Sequence, residues 1–350
     1  MGPELSIEIP DERPSQERDA LVASSGSRIE AQIIKSLCEP LLPHVPASVH
    51  PNTISLITHL IAWVTTALAV GSVFAPTPLR SLLLVGAGIG MLVSMIGDCL
   101  DGMHARKTDQ CSKLGEMMDH WLDAIIVPLT IIGITVALQM EPWMMALACT
   151  TATMVYQGQL VLYHHTGKFV QPEPATGVEG QFGISIGYVA LAVLYYFTPR
   201  DQAWMDLAIG ILGAVGIFIQ MRCNWFYYVR LGRLFTRHLL YVGMMAALAG
   251  FYLAGALDAF AFMFGLIFVS FRISGSYVLH TIVGRPFDGN DLGIFAFLAA
   301  IGIGHFVLAP ISLGPTTLQA TLPYLAGVYV TIRNFADFTR YYDQLKPAQS

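Results

Sequence analysis

Residues 80–138 decide the fold of this chain and read RSLLLVGAGIGMLVSMIGDCLDGMHARKTDQCSKLGEMMDHWLDAIIVPLTIIGITVAL. Two apolar stretches, Arg80–Leu100 and Leu122–Leu138, flank a polar segment with four acidic residues at or near its ends, Asp98, Asp101, Asp119 and Asp123. A membrane-spanning helix needs about 20 mainly apolar residues, so each stretch predicts one span. The segment therefore predicts a helical hairpin whose aspartates lie at one face of the membrane.

The composition of the whole chain agrees with this prediction. The 350 residues are 54% apolar and 12% charged, whereas about 25% of residues are charged in soluble domains. We predict an all-α, polytopic helical bundle with about ten transmembrane helices. The ten apolar stretches are Ile54–Phe74, Arg80–Leu100, Leu122–Leu138, Pro142–Leu162, Phe182–Phe197, Met205–Tyr228, Leu239–Leu257, Ala259–His280, Leu292–Ala309 and Leu322–Phe338.

The N-terminal segment has a different character. Residues 1–27 are polar and predicted to be disordered, and residues 28–350 form one integral membrane domain. Ser27 followed by Glu30 is typical of a capping box, which opens a helix that runs through Leu42. Its apolar stripe predicts an amphipathic helix lying on the membrane surface.

Charge asymmetry predicts the orientation. With a cytoplasmic N-terminus, most Lys and Arg residues fall inside, and the outer face keeps Arg80 and Arg200. Both termini and the aspartates are then cytoplasmic, in an endoplasmic reticulum, Golgi or bacterial inner membrane. A net charge of −5 argues against nucleic acid as a partner. The five cysteines indicate no disulfide framework.

The spacing of the aspartates indicates a metal site. At 3.6 residues per turn, Asp98 and Asp101 share one helix face, and Asp119 and Asp123 share another. Four carboxylates facing one point repel one another, and two divalent cations would compensate their charge. Oxygen ligands favour Mg²⁺ or Mn²⁺ over zinc. Arg106 offers a planar fork to a diphosphate.

The pattern D-x2-D-G-x2-A-R-x8-G-x3-D-x3-D, from Asp98 to Asp123, resembles the signature of the CDP-alcohol phosphotransferase family. The resemblance implies a two-metal site in which Asp98, Asp101 and Asp119 bind metal, and Asp123 binds metal or acts as a base. It also implies a CDP pocket. The residues assigned to this pocket are Asp98, Gly102, Ala105, Arg106, Lys113 and Gly115.

Weaker similarity along the chain points to the choline and ethanolamine phosphotransferase branch. Residues 36–41, 51–54 and 337–341 look like motifs of that branch, and Val178-Glu179-Gly180-Gln181 looks like its TE-x-Q. The resemblance implies that His120 and Glu179 together are a second candidate for the base. Two departures are Val178, in place of Thr, and Met103-His104, in place of the usual basic and polar pair.

The function implied is transfer of phosphocholine or phosphoethanolamine from a CDP ester to diacylglycerol, a neutral lipid acceptor, with release of CMP. The reverse arrangement, in which CDP-diacylglycerol donates to a soluble alcohol, is the alternative within the family. A cation transporter is the alternative outside enzymes, although the other acids trace no path. Structural pairing of the aspartates is a further interpretation.

The binding site for the donor head group is assigned to polar and aromatic residues at the predicted cytoplasmic ends of later helices. An aromatic cage would suit the quaternary ammonium of choline, although aromatic belts enrich the same positions. The sequence leaves the head group, the lipid preference and a possible homodimer open. The assigned residues are Lys168, Arg222, Asn224 and Trp225.

Overall fold

The computed structural model describes residues 27–167, 171, 177–198, 203–231, 235–287, 290–307 and 318–345. Within these ranges the chain is helical and contains no strand. Disorder is predicted for residues 1–27; residues 1–26 lie outside the described residues, and Ser27 is the buried N-cap of the first helix. The helices are α1 (Arg28–Ile33), α2 (Pro51–Ser72), α3 (Thr77–Lys107), α4 (Lys113–Ala137), α5 (Pro142–Thr166), α6 (Gly177–Phe197), α7 (Ala203–Leu231), α8 (Phe235–Leu253), α9 (Ala259–Ile282), α10 (Leu292–Phe306) and α11 (Leu318–Leu345).

Each of the ten predicted apolar stretches coincides with one helix, from α2 to α11, which confirms the all-α polytopic membrane class. Among the described residues, six helices are long and apolar enough to cross a membrane: α2, α3, α4, α6, α7 and α9. Two shorter apolar helices, in α8 and α10, cover residues 238–253 and 292–306. The count of ten spans therefore stays a prediction for the four remaining helices.

The boundaries of α3 and α4 differ from the apolar stretches that predicted them. α3 continues past Leu100 to Lys107, and α4 begins at Lys113, well before Leu122. The Ser112 hydroxyl accepts a hydrogen bond from the Gly115 amide at 3.0 Å and so caps the start of α4. All four aspartates consequently lie within helices, where their spacing fixes which face they share.

The helices pack in two groups that meet at α4. In the first group, α3 packs against α2 and α6, and α2 also packs against α4. In the second group, α9 packs against α4, α5, α8 and α11. α9 is the most enclosed of the six candidate spans, since 78% of its apolar window is buried. This arrangement places α4 between the N-terminal helices and the C-terminal helices.

The N-terminal helix departs from its prediction. Ser27 caps it, since its hydroxyl accepts from the Glu30 amide at 3.1 Å, but the regular helix ends at Ile33 and continues as a π-helical turn, Ile34–Cys38. The chain then turns at Pro40, which has no amide hydrogen to continue the helix. The expected helix through Leu42 was therefore wrong at its C-terminal end.

A buried ionic network joins the last three helices. Arg272, in the middle of α9, donates through Nε to Asp291 at 2.6 Å and through Nη1 to Asp337 at 2.7 Å and Asn334 at 2.8 Å. Asp291 also caps α10 by accepting from the Gly293 amide at 3.0 Å. Removing one partner of such a buried pair leaves an uncompensated charge, so the network fixes α10 and α11 on α9.

Candidate active site

The four aspartates converge between α3 and α4. One carboxylate oxygen each from Asp98, Asp101 and Asp119 lies within 4.8 Å of the others. Asp101 is buried, and Asp98 and Asp119 are partly buried. Helices joined by a loop of five residues, 108–112, thus bring together carboxylates that are up to 25 positions apart in the sequence.

A second group of donors overlaps the first. Atoms of His59, Asp98 and Asp123 lie within 4.8 Å of one another. Asp98 belongs to both groups, so the site contains two adjacent triads that share one carboxylate. These two groups would hold a pair of divalent cations, whose charge would compensate the repulsion among the carboxylates.

α2 supplies a third wall of the site. The Ser55 hydroxyl donates to Asp101 Oδ2 at 2.5 Å, and the backbone carbonyl of Ser55 lies 2.6 Å from His59 Nδ1. The Asn52 side chain lies on the same side of α2, where a Cβ added to Gly115 would stand 3.1 Å from Asn52 Oδ1. Gly115 therefore allows α2 and α4 to approach closely.

The residues assigned to the CDP phosphates lie around the ends of α3 and α4. Arg106 and Lys113 are exposed. A Cβ added to Gly102 would lie 3.4 Å from Arg106 Nη1, so the guanidinium folds back over Gly102 toward the aspartates' end of α3. Ala105 is partly buried. The side chains of Arg106 and Lys113 can therefore contact a phosphate group that approaches from this end.

The two residues assigned as the second base lie on different helices. His120 Nδ1 is 3.9 Å from Asp119 Oδ2, and the backbone carbonyl of His120 accepts a hydrogen bond from the Tyr156 hydroxyl at 2.7 Å. Glu179, in the first turn of α6, accepts a hydrogen bond from the Ser27 hydroxyl. His120 is therefore a neighbour of the aspartates, whereas the contact described for Glu179 joins α6 to the N-terminal cap.

Three of the residues assigned to the head group lie on α7, but their side chains face different sides of this helix. Asn224 Nδ2 donates to the Thr151 carbonyl at 2.9 Å and therefore faces α5. Arg222 and Trp225 are exposed and line a cavity of about 280 Å³ on α7 together with Phe226, Val229 and Arg230. Lys168 lies outside the described residues. Within the described chain, the four residues therefore do not line one pocket. Asn224 makes a contact between helices, and Arg222 and Trp225 lie on an open surface.

The donor set fits a metal centre. Carboxylate oxygens dominate it, and hard divalent cations prefer such ligands. Sequence reasoning missed Ser55 and His59, although Asn52, Ser55 and His59 follow one another at helical spacing on α2. These three polar residues on one face of α2 were the available signal. The sequence alone does not show that this face packs against α3 and α4, so it does not connect them with the aspartates.

Asp98 joins a group of three carboxylates to a group of two carboxylates and one histidine, and this donor set in a helical membrane protein is typical of sites for divalent cations. The sequence comparisons agree with such a site and narrow the class of protein. The family model for CDP-alcohol phosphatidyltransferase matches residues 48–221, which include α2, α3, α4 and all four aspartates. The chain belongs to this family.

Several relatives from vertebrates and yeast are named cholinephosphotransferase 1. The chain is 35% identical to mouse cholinephosphotransferase 1 over 105 residues, which cover 29% of this chain and 25% of the relative. It is 32% identical to the human protein of that name over 102 residues, covering 28% and 24%. With the zebrafish protein the identity is 24% over 220 residues, covering 57% and 56%. The chain thus matches about a quarter to a half of the length of these relatives.

Proposed function

We propose that this protein transfers phosphocholine or phosphoethanolamine from its CDP ester to diacylglycerol and releases CMP. The observation that carries the proposal is the convergence of Asp98, Asp101, Asp119 and Asp123 from two neighbouring helices. Family membership and the similarity to cholinephosphotransferases support the donor class. The predicted orientation places the reaction at the cytoplasmic face.

The reaction exchanges one phosphorus–oxygen bond for another. The diacylglycerol hydroxyl oxygen attacks the phosphorus that carries choline or ethanolamine, and the bond from that phosphorus to the CMP oxygen breaks. The hydroxyl proton passes to Asp123, or to His120 assisted by Glu179, and CMP leaves as an anion. Two divalent cations held by the aspartates would neutralise the diphosphate and the leaving CMP.

The residues of the chain provide binding and orientation. Arg106 presents a guanidinium fork beside Gly102, a geometry suited to phosphate oxygens. Ser55 holds Asp101 in one orientation through its hydrogen bond. A polar donor enters from the exposed ends of α3 and α4, and the lipid acceptor enters sideways from the bilayer.

The test uses the full chain purified in detergent with Mn²⁺. Radiolabelled CDP-choline and CDP-ethanolamine are each offered with and without diacylglycerol, and CDP-diacylglycerol is offered with glycerol phosphate, inositol phosphate or serine. We expect CMP release from a soluble CDP ester only when diacylglycerol is present. The Asp98→Asn variant is the matched control for background hydrolysis.

The opposite result is equally informative. Release of CMP from CDP-diacylglycerol with a soluble alcohol, and none from the soluble CDP esters, would reject the proposed direction of transfer. The family assignment would stand in that case. Ion flux through reconstituted vesicles without CMP release would favour the transporter alternative.

A further inference from the structure

His59 lies on α2 against the aspartate site. Its side chain is almost fully enclosed, with 4% of the residue exposed. It shares one face of α2 with Ser55, whose hydroxyl binds Asp101. Burial of a polar ring without polar partners is unfavourable. The two ring nitrogens of His59 are therefore expected to have partners among the neighbouring groups.

One nitrogen of His59 has a fixed role. Nδ1 lies 2.6 Å from the Ser55 backbone carbonyl oxygen, and a carbonyl oxygen can only accept a hydrogen bond. Nδ1 therefore carries a hydrogen and donates it. In the neutral ring this tautomer leaves Nε2 with an unshared electron pair.

That electron pair is directed at the carboxylates. Nε2 lies 3.7 Å from Asp123 Oδ1, which is beyond hydrogen-bond distance, and it joins Asp98 and Asp123 in the second triad. An electron pair facing anionic oxygens is repulsive, and either a proton on Nε2 or a metal cation between the donors removes the repulsion. The distance of 3.7 Å is long for an N–H···O hydrogen bond but suits two ligands of one cation. Two donors that bind one cation at about 2.1 Å each stand roughly 3.0 to 4.2 Å apart, depending on the angle at the cation.

The backbone contact has the form expected of a metal ligand. Histidines that bind metals usually donate their other ring N–H to a carbonyl or carboxylate, which fixes the tautomer and the ring orientation. Ser55 supplies that carbonyl one helical turn before His59. The same residue orients Asp101 in the first triad, so Ser55 couples the two metal positions.

We propose that His59 binds a divalent cation through Nε2, together with Asp98 and Asp123, so that the two cation positions have different donors. This inference rests on the proposed function, since it adds a ligand to the same centre. The position formed by Asp98, Asp101 and Asp119 has only oxygen donors, and the position at His59 has nitrogen as well. A nitrogen donor favours Mn²⁺, Co²⁺ or Zn²⁺ over Mg²⁺ at that position.

The test is electron spin echo spectroscopy of Mn²⁺ bound to the full-length protein in detergent. We expect nuclear modulation from a directly bound ¹⁴N, and we expect it to change to the ¹⁵N pattern when only histidines are labelled with ¹⁵N. This labelling requires no variant, so the result does not depend on the folding of a mutant. CMP release is measured on the same preparation.

Variants then identify the histidine. His59→Leu should lose the nitrogen modulation and weaken binding of one Mn²⁺ by roughly tenfold or more, while the matched variant His305→Leu, on α10, should keep both. His59→Gln is the second variant, because it retains a polar group of similar size. In His59→Leu the preference for Mn²⁺ over Mg²⁺ should fall.

The outcomes separate this inference from the proposed function. Bound Mn²⁺ and CMP release without nitrogen modulation would overturn the role of His59 alone. Modulation that persists in both His59 variants but disappears in His120→Leu would assign the ligand to His120 and overturn it as well. Absence of both Mn²⁺ binding and CMP release in the wild-type protein would reject the metal centre and the inference together.

Discussion

The four carboxylates have different neighbours, although the pattern in the sequence treats them alike. Asp101 accepts a hydrogen bond from Ser55, and Asp123 lies beside His59. Asp119 lies 3.9 Å from His120. Asp98 is the carboxylate that both triads share. Equivalent substitutions at these positions should therefore have different consequences.

Replacement of a shared or buried carboxylate should stop turnover. We expect Asp98→Asn, Asp101→Asn and Asp119→Asn each to lower CMP release by at least about 100-fold, because each removes charge from a site that stabilises charge. Isothermal titration with Mn²⁺ should show a lost or weakened cation in each variant. Near-normal turnover in Asp98→Asn or Asp119→Asn would contradict the two-metal assignment.

The Asp123→Asn variant distinguishes a role of Asp123 as base from a role as metal ligand. If Asp123 acts mainly as the base, Asp123→Asn should bind Mn²⁺ and CDP-choline but lose turnover. If it acts mainly as a ligand, Mn²⁺ binding should weaken together with turnover. Titration of metal and nucleotide on one preparation decides between these two results.

Replacement of Ser55 tests whether the orientation of the Asp101 carboxylate matters, because it leaves the charge of the site unchanged. Ser55→Ala removes the hydroxyl that donates to Asp101, and we expect Mn²⁺ affinity and CMP release to fall by roughly 10- to 100-fold, as for other residues that orient metal ligands. Ser94→Ala is the matched control, because the Ser94 hydroxyl donates to the Thr58 carbonyl across the same pair of helices. Equal losses in both variants would indicate a packing effect instead.

At the scale of elements, α4 is held from the side opposite the metal site. Trp121, between His120 and Leu122, packs against Phe271 of α9 and Phe338 of α11, with ring centroids 5.1 and 6.2 Å away. A Cβ added to Gly275 would stand 2.2 Å from Trp121 Nε1. The absence of a side chain at Gly275 therefore creates the space in which Trp121 lies.

Filling that space should move α4. We expect Gly275→Ala to destabilise the protein by about 1–3 kcal/mol through overpacking and to lower CMP release, as measured by thermal unfolding in detergent and by the assay. Gly243→Ala, on α8, is the control, since a Cβ there would have no heavy atom within 4 Å. The double variant with Trp121→Phe should recover part of the stability; no recovery would argue against this contact.

The sequence predicts the helices well because their apolar runs are long. Each of the ten stretches coincides with a helix of the described chain, yet the ends of α3 and α4 extend past the apolar residues into the acidic segment. Hydropathy reports the part of a helix that lies in lipid, whereas caps such as Ser112 determine where it begins. The π-helical turn at Ile34–Cys38 has no comparable signal in the sequence.

The candidate site is predictable only in part. The pattern from Asp98 to Asp123 identifies the carboxylates, because a helical hairpin brings its two strips of residues together. Ser55 and His59 come from a helix that is distant in sequence, and only tertiary packing brings them near. The same limit applies to Asn224, which was assigned to the head-group site. Its side-chain amide binds the α5 backbone, a contact that the sequence does not reveal.

At the scale of the whole molecule, the orientation can be tested by labelling. In a background with Cys111→Ser, which removes an exposed native thiol, we expect Pro286→Cys to react with an impermeant maleimide only from the cytoplasmic side. Ala254→Cys, in the turn between α8 and α9, should react only from the opposite side. Labelling of both from one side would overturn the predicted number of spans between them.

The ionic network of the C-terminal half should govern global stability. Arg272→Ala leaves two buried carboxylates without their cation, so we expect a loss of about 3–5 kcal/mol. Arg333→Ala, an exposed arginine on α11, is the matched control and should change stability little. Equal melting temperatures of the two variants in detergent would show that the network is not needed for stability.

The network also has a consequence for biogenesis. The ribosome makes Arg272 before Asp291, which follows 19 residues later, and before Asp337, which follows 65 residues later. An arginine near the centre of a membrane helix opposes insertion by about 2.5–3.5 kcal/mol on translocon scales. α9 therefore reaches the bilayer before Asp337, the more distant of its two counter-ions, has been synthesised. A translational pause or premature stop between residues 282 and 337 would leave a nascent chain whose most enclosed helix is poorly retained in lipid and exposed to quality-control proteases.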